Sequence, residues 1–391
     1  MPEWFENAIS RRGFLSKVGV GAAASTVASA IAPLAASASA AGKTQSPQDA
    51  PEPPGKKCGY AIVGLGSLAI HQILPAFCKS EKSKVVALVS GHPEKAAKLA
   101  ARYNVNPKNI YNYENYDTLR DNPAVDIIYI VLPNSMHAEY TIRGFQAGKH
   151  VLTEKPMANT PADCREMIDA ANKAGKKLMV AYRCRYEPYN QAMIQMARDK
   201  ALGGVRILLT EAGFNIGDPT QWRLKKSMAG GGSLMDIGIY ALNAARYISG
   251  EEPTEVNAML YSTPNDPRFK EVEETVLFQL RFPSGIIASC TSSYGASTRS
   301  HFRALCPQGY FELDPAMGYT GARLRVSSNK ESSIEERMLQ PVDHFAAEMD
   351  HMSDCVQQNK TPLTPGEEGL RDLTIMQAIY QAAATGQTVK L

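Results

Sequence analysis

The sequence predicts a doubly wound α/β domain followed by a second, strand-rich domain. Three features carry this expectation. The apolar run Tyr60-Ala61-Ile62-Val63 leads directly into Gly64-Leu65-Gly66-Ser67-Leu68-Ala69 and then a helical stretch through Ile73, Leu74 and Phe77. From there to Ala181, strand-like and helix-like segments alternate regularly. Beyond Ala181, runs rich in β-branched and aromatic residues recur at 205–214, 254–263, 272–282 and 285–294.

At 391 residues the chain exceeds what one hydrophobic core usually supports, which predicts two domains and a separate N-terminal segment. Hydrophobic residues make up 44% and charged residues 21%, which is ordinary globular usage and excludes a largely disordered chain. The net charge of +3 comes without any long block of Lys or Arg, so the chain lacks an electrostatic footprint for nucleic acid. The cysteines Cys58, Cys78, Cys164, Cys184, Cys290, Cys306 and Cys355 are odd in number and form no C-x-x-C pair. Free, mostly buried thiols are expected, with neither a disulfide framework nor a metal site.

Residues 1–40 read as an address. Ser10-Arg11-Arg12-Gly13-Phe14-Leu15-Ser16-Lys17 precedes an uncharged stretch over 18–42 that contains the small-residue series Ala36-Ser37-Ala38-Ser39-Ala40. This is the shape of a secretory signal cleaved near Ala38 or Ala40. The alternative, a membrane anchor, is disfavoured by the Ala, Ser and Gly content and by Pro33. The arginine pair with Phe14 and Leu15 resembles a twin-arginine export signal, which implies use of that translocation machinery, folding in the reducing cytosol and a periplasmic destination. Residues 41–55, with Pro47, Pro51, Pro53 and Pro54, read as a semi-rigid arm.

The α/β domain is expected over 56–181. Strands are predicted at 85–89, 126–132, 150–153 and 177–181, and helices at 93–103, 137–147 and 161–174. The turn Gly64, Leu65, Gly66, Ser67, Leu68 then occupies the first βα corner of a Rossmann arrangement. There the first glycine permits the tight turn and the second lets backbone approach a pyrophosphate; the third position is Ala69. NAD enzymes place a carboxylate at the end of the second strand, roughly 20 residues on. This chain has Ser90-Gly91-His92, with Lys95 following, so no carboxylate at the strand end repels a 2'-phosphate and several groups can donate to one, although Glu94 weakens the field of Lys95. NADP is the expected cofactor.

Two clusters could carry chemistry. Glu154-Lys155-Pro156 follows a strand at the carboxyl edge of the sheet, where ligands bind in open α/β folds. A lysine becomes a usable acid or base when burial or neighbouring cations depress its pKa; the plainer reading is a surface lysine. Gly230-Gly231-Gly232-Ser233 reads as a flexible turn with Ser233 as N-cap, opening a helix that carries Asp236 and Tyr240 four apart on one face. A tyrosine beside a lysine forms a proton relay in which the ammonium lowers the phenol pKa, and Asp236 can orient either partner. The plainer reading is a core helix with an acidic first turn.

The stretches LVSGHPEKA, YIVLPNSMHAEY, HVLTEKPMA, MVAYRCRYEPYN, QWRLKKSMAGGGSLMDIGIYALNAARYISGEEP and TPGEEGLRDLTIMQAIYQAA resemble the glucose-fructose oxidoreductase and inositol dehydrogenase family, especially its periplasmic glucose-fructose branch and also aldose-aldose oxidoreductases. The resemblance runs from about Lys56 to the C-terminus. It implies an α/β Rossmann domain with a doubly wound parallel sheet, followed over 182–391 by an α+β domain with a large, mostly antiparallel open sheet for substrate binding and subunit contacts. It implies Lys155 beside the nicotinamide and sugar, with a cis bond before Pro156, and Asp236 and Tyr240 on the catalytic helix. Leu132, Pro133, Asn134, His137 and Glu154 would flank the nicotinamide, and Arg183, Trp222 and Arg223 the cofactor or sugar. Tyr186 and Asn243 are further candidates for sugar hydroxyls, and Arg185 stands where relatives carry histidine.

The resemblance also implies a homo-oligomer, dimer or tetramer, embraced by the Pro-rich arm. Export folded, such an enzyme has to retain its NADP and re-oxidise it in place with a second sugar, giving a ping-pong cycle. An aldose dehydrogenase with dissociable cofactor and an idle exported sugar-binding protein are the alternatives.

Overall fold

The computed structural model describes residues 56–330 and 333–391. The expected export signal over 1–40 and the expected Pro-rich arm over 41–55 lie outside the described residues. Two sheets organise the rest. The first is six-stranded and parallel, in the order β3-β2-β1-β4-β5-β6, with β1 Cys58–Val63, β2 Ser83–Val89, β3 Ile110–Tyr111, β4 Ile127–Ile130, β5 His150–Glu154 and β6 Leu178–Ala181. Its central strands, CGYAIV and IIYI, are buried at every residue, as a sheet covered on both faces requires. The strand order reverses between β1 and β4, which opens a crevice at their carboxyl ends.

The crossover helices Pro93–Arg102, His137–Gln146 and Pro161–Ala174 follow the expected alternation. Thr160 caps the last of them by accepting from the Asp163 amide, and Gly175 ends it in the left-handed conformation. Strand β3, only two residues long, was not expected; it is too short to show a period. The helix His344–Gln357, far along the chain, also belongs to this layer. Phe345, Ala346, Met349 and Met352 share one buried cluster with Tyr60, Ile62 and Tyr129, and the Tyr60 hydroxyl donates to the Met349 carbonyl at 2.7 Å.

The second sheet is nine-stranded, in the order β14-β13-β12-β11-β7-β10-β9-β8-β15. The four anticipated runs become β7 Ile207–Gly213, β8 Glu255–Tyr261, β9 Thr275–Arg281 and β10 Ile287–Ser293. Strands β11 Arg299–Cys306, β12 Gly309–Leu313, β13 Leu324–Ser328, β14 Ile334–Arg337 and β15 Val389–Lys390 extend it. All neighbours are antiparallel except β7 and β10. Strand β9 alternates buried and solvent-facing residues, because one face packs on the core while the other is open. On the open face the register sets Ile207 beside Ile287 and Leu277 beside Met259, each at least 40% exposed.

All seven cysteines are free, and Cys58, Cys164, Cys290 and Cys355 are buried. Among the described residues no helix is long and apolar enough to cross a membrane, and no cluster of His, Cys, Asp or Glu could hold a metal ion.

Candidate active site

The glycine turn sits at the carboxyl end of β1. Gly64 has φ +93°, and a Cβ on it would lie 2.4 Å from the Val131 carbonyl oxygen, so only glycine fits. A Cβ on Gly66 would meet nothing within 4 Å. The turn therefore leaves open space at an exposed backbone beside the exposed Ser67, with Leu65 tucked beneath and Leu68 half-buried above. The chain then winds through a π-helical turn, Ala69–Ile73, at this edge of the sheet. Lys95 donates to the Leu65 carbonyl at 3.3 Å, which brings its ammonium to the turn. Ser90 is buried at the end of β2 with its hydroxyl oxygen accepting from the His92 amide, and Gly91 lies against the Tyr113 ring. These residues fit a dinucleotide: an open backbone cradle for the pyrophosphate, and hydroxyl and ammonium groups in place of a ribose-binding carboxylate.

The next wall follows β4. Asn134 donates to the Ala229 carbonyl at 2.9 Å, tying the Leu132-Pro133-Asn134 loop to the second half of the chain. His137 is fully buried, and its two ring nitrogens lie 2.9 Å from the Pro156 carbonyl and 2.8 Å from the Leu132 carbonyl. Its place is in the wall. It clamps the loops after β4 and β5 together, and burial lowers its pKa.

Strand β5 delivers Glu154 and Lys155, and the Lys155–Pro156 bond is cis. The buried Glu154 carboxylate accepts from the Tyr129 hydroxyl at 2.7 Å and from the Lys155 amide at 3.3 Å. Lys155 Nζ donates to the Asp236 carbonyl at 2.5 Å and to its carboxylate at 3.1 Å. The same ammonium lies 4.9 Å from the centre of the Tyr240 ring. Arg223 Nε and the Tyr294 hydroxyl donate to the other Asp236 oxygen at 3.1 and 3.0 Å. Arg223 in turn stacks 4.6 Å over the half-buried Trp222 ring. Burial opposes charge on Asp236, but the Lys155 ammonium and Arg223 guanidinium outweigh it and hold the carboxyl far below its ordinary range.

The segment carrying Asp236 and Tyr240 is π-helical over Leu234–Gly238 and α-helical over Ile239–Ser249. Two expectations for its start are corrected. Ser233 makes no capping bond, because its hydroxyl is engaged with Ser292; the amides of Gly232 and Leu234 are instead taken by the distant Glu273 carboxylate at 2.9 and 3.0 Å. Nor are the glycines there for flexibility. A Cβ on Gly232 would come 2.0 Å from the Glu273 carbonyl oxygen, so close packing demands the missing side chain.

The lysine and tyrosine of the expected relay do meet, but at the ring and not at the hydroxyl. Lys155 covers the face of the Tyr240 ring, while the group that reaches its hydroxyl is Arg183, with Nε donating at 3.2 Å. Burial pushes the Tyr240 phenol well above its ordinary pKa, and the Arg183 guanidinium offsets this only in part. Arg183 is itself buried. Its Nη2 donates to the Met317 carbonyl at 2.6 Å, and its guanidinium carbon lies 4.8 Å from the centre of the Tyr319 ring.

Two candidate sugar ligands are committed elsewhere. The Tyr186 hydroxyl lies beneath the first sheet, 3.3 Å from the Thr364 hydroxyl. Asn243 donates to Asp372 at 2.6 Å in a buried network with Tyr182 and Arg246. Arg185 lies 3.8 Å from the centre of the Tyr247 ring and borders a cavity behind Tyr240 and Asn243. The sequence reading missed Tyr294, Tyr319, Glu273 and the pair His344 and Glu348. Each joins the site from a distant segment, and no local spacing marks it.

A model of the oxidoreductase family with an NAD-binding Rossmann fold matches residues 58–182, and one of the GFO/IDH/MocA C-terminal domain matches residues 190–312. The chain belongs to the GFO/IDH/MocA oxidoreductase family. Within that family it is similar to the D-xylose 1-dehydrogenase [NADP(+)] of Haloarcula marismortui, at 30% identity over 85% of this chain and 92% of that one. It is also similar to the D-glucoside 3-dehydrogenase of Escherichia coli, at 27% identity over 85% of this chain and 97% of that one. Among solved structures, the aldose-aldose oxidoreductase of Caulobacter crescentus, complexed with glycerol, is 49% identical with a TM-score of 0.84, covering 86% of this chain and 100% of that one. The GFO/IDH/MocA fold accounts for both sheets, and the chain is a sugar oxidoreductase with a nucleotide-binding Rossmann fold.

Proposed function

We propose that this GFO/IDH/MocA oxidoreductase oxidises an aldose such as glucose at C1 to the lactone and, with the same tightly held NADP, reduces a second sugar. That sugar is either a ketose such as fructose or an aldose converted to its alditol. The carrying observation is the cluster of Lys155, Asp236, Arg183 and Tyr240 at the carboxyl edge of the parallel sheet, on the side of the open glycine turn. The NADP-dependent xylose dehydrogenase and the aldose-aldose oxidoreductase among its relatives support the substrate class.

With its pyrophosphate held at the glycine turn, the dinucleotide would supply at its nicotinamide the acceptor for the hydride leaving C1 and, once reduced, the donor to the second carbonyl. The chain's residues manage the proton. In the oxidation half, Tyr240 as phenolate takes the proton from the anomeric hydroxyl while the C1–H bond breaks and C1=O forms. In the reduction half, the Tyr240 phenol returns a proton to the oxygen of the second carbonyl. Arg183 steadies the phenolate through its 3.2 Å contact, and Lys155, fixed by Asp236, places a positive charge over the same ring. Gly64 to Leu68, Ser90, Gly91 and Lys95 hold the nucleotide, and Trp222 and Arg223 close the side of Asp236.

Incubating purified protein with an aldose, alone and together with a ketose, without added nucleotide, tests the reading. Equal amounts of aldonic product and alditol are expected, and turnover only on adding NADP would replace it with a dissociable-cofactor dehydrogenase. We also assign the protein to the periplasm on its paired arginines. Replacing Arg11 and Arg12 by lysine is expected to leave the protein in the cytoplasmic fraction, and unchanged export would refute that route.

A further inference from the structure

The helix His344–Gln357 brings a carboxyl group under this site that the chemistry above does not use. Glu348 is completely buried, and neither of its oxygens has a hydrogen-bond partner. No water-sized space touches those oxygens. A carboxylate in that setting would forfeit its hydration with nothing in exchange, whereas a carboxylic acid carries its own donor. Glu154 is the charged group that acts on it most strongly. Glu154, at the end of β5, already takes the Tyr129 hydroxyl, and Glu348 lies in the field of both groups.

The groups that act on Glu348 come from β4, β5 and the turn after β6. Glu154 from β5 raises its affinity for a proton after burial itself, while Arg183 from the turn after β6 and the Tyr129 hydroxyl from β4, which donates to Glu154 at 2.7 Å, oppose. Cys184 and Tyr186, on that same turn, feel its charge. His344, one turn back on its own helix, has both ring nitrogens unpartnered, and burial followed by Arg183 lowers its pKa to about 3, so it adds no positive charge at neutral pH.

We propose that Glu348 is a positioning residue for Tyr240. It retains a proton that it donates to Glu154, so the two carboxyl groups present one negative charge beneath Arg183 instead of two. Lys155, Arg183 and Arg223 are then balanced by Asp236 and the carboxyl pair with one positive charge to spare, which the Tyr240 phenolate takes up. Ionising Glu348 would cancel that surplus and oppose the phenolate. The inference rests on Tyr240 being the proton-transfer group proposed above.

The test has one arm that does not depend on that reading. Infrared spectra of the holoenzyme in heavy water at neutral pD are expected to show the C=O stretch of a protonated buried carboxyl, lost in Glu348→Gln. Absence of the band, or a band that survives the substitution and so belongs to Glu273 or Asp372, overturns the proposal. The second arm is the pH profile of single-turnover aldose oxidation. Glu348→Gln, whose amide can still donate to Glu154, is expected to recover most of the rate lost in Glu348→Ala. The double variant Glu154→Gln/Glu348→Gln, stripped of the pair's negative charge, is expected to move its acid limb down by about one pH unit relative to Glu348→Gln. An acid limb that stays put overturns the link to Tyr240. If Tyr240→Phe proves fully active while the infrared band behaves as expected, the base assignment fails and the buried proton stands.

Discussion

Tyr240 is held by one cation at its hydroxyl and another over its ring, yet burial still dominates and keeps the phenol protonated at neutral pH. That sets the sign of the pH dependence. Oxidation needs the phenolate and so gains rate as pH rises, while reduction needs the phenol and keeps its donor across the neutral range. Tyr240→Phe is expected to lower the single-turnover rate of both half-reactions by about 100-fold or more while leaving nucleotide retention intact. A variant that oxidises aldose at the parent rate would remove the residue from the chemistry. Lys155, Asp236 and Tyr240 were legible in the sequence because each lies in a local pattern: a strand end, or a glycine-flanked helix start. Arg183 was named, but its contact with the Tyr240 hydroxyl was not, since only the fold sets the turn after β6 against the helix. Tyr294 and Glu348 carry no local signature at all.

The helix that presents Asp236 and Tyr240 depends on an acceptor from elsewhere in the chain. Glu273 takes two of its first amides and also the Tyr380 hydroxyl at 2.9 Å, so one carboxylate joins this helix, the loop before β9 and the long helix Gly366–Thr385. Removing a buried acceptor of this kind costs about 2 kcal/mol. Glu273→Ala is therefore expected to lower the urea midpoint without altering the slope, and an unchanged midpoint would show that the cap carries no stability. Capping by a distant residue explains why Ser233 was misread: it has the preferred chemistry and position, but the π-helical start turns its hydroxyl towards Ser292. The parallel strands and their helices were readable because burial on both faces and strict alternation leave strong patterns. The short strand β3 and the return of His344–Gln357 to the first sheet were not, because neither has a local period.

At the scale of the molecule, the two sheets have opposite surfaces to manage. The parallel sheet is covered on both faces, whereas the nine-stranded sheet leaves Ile207, Ile287, Leu277 and Met259 exposed as neighbours on one face. We propose that copies of this chain meet through that face. Ile287→Lys is expected to shift the mass seen by light scattering towards the monomer, and an unaltered assembly would place the interface elsewhere. The central claim, a nucleotide that stays bound while hydride passes between two sugars, is reached most directly by the absorbance spectrum of extensively dialysed protein. The spectrum is recorded before and after adding glucose, then fructose, with no free nucleotide present. The account expects the reduced-nicotinamide band to grow with glucose and fall again with a second sugar, whether fructose or another aldose. Protein that emerges from dialysis without nicotinamide, or a nicotinamide band that neither sugar shifts, would contradict it.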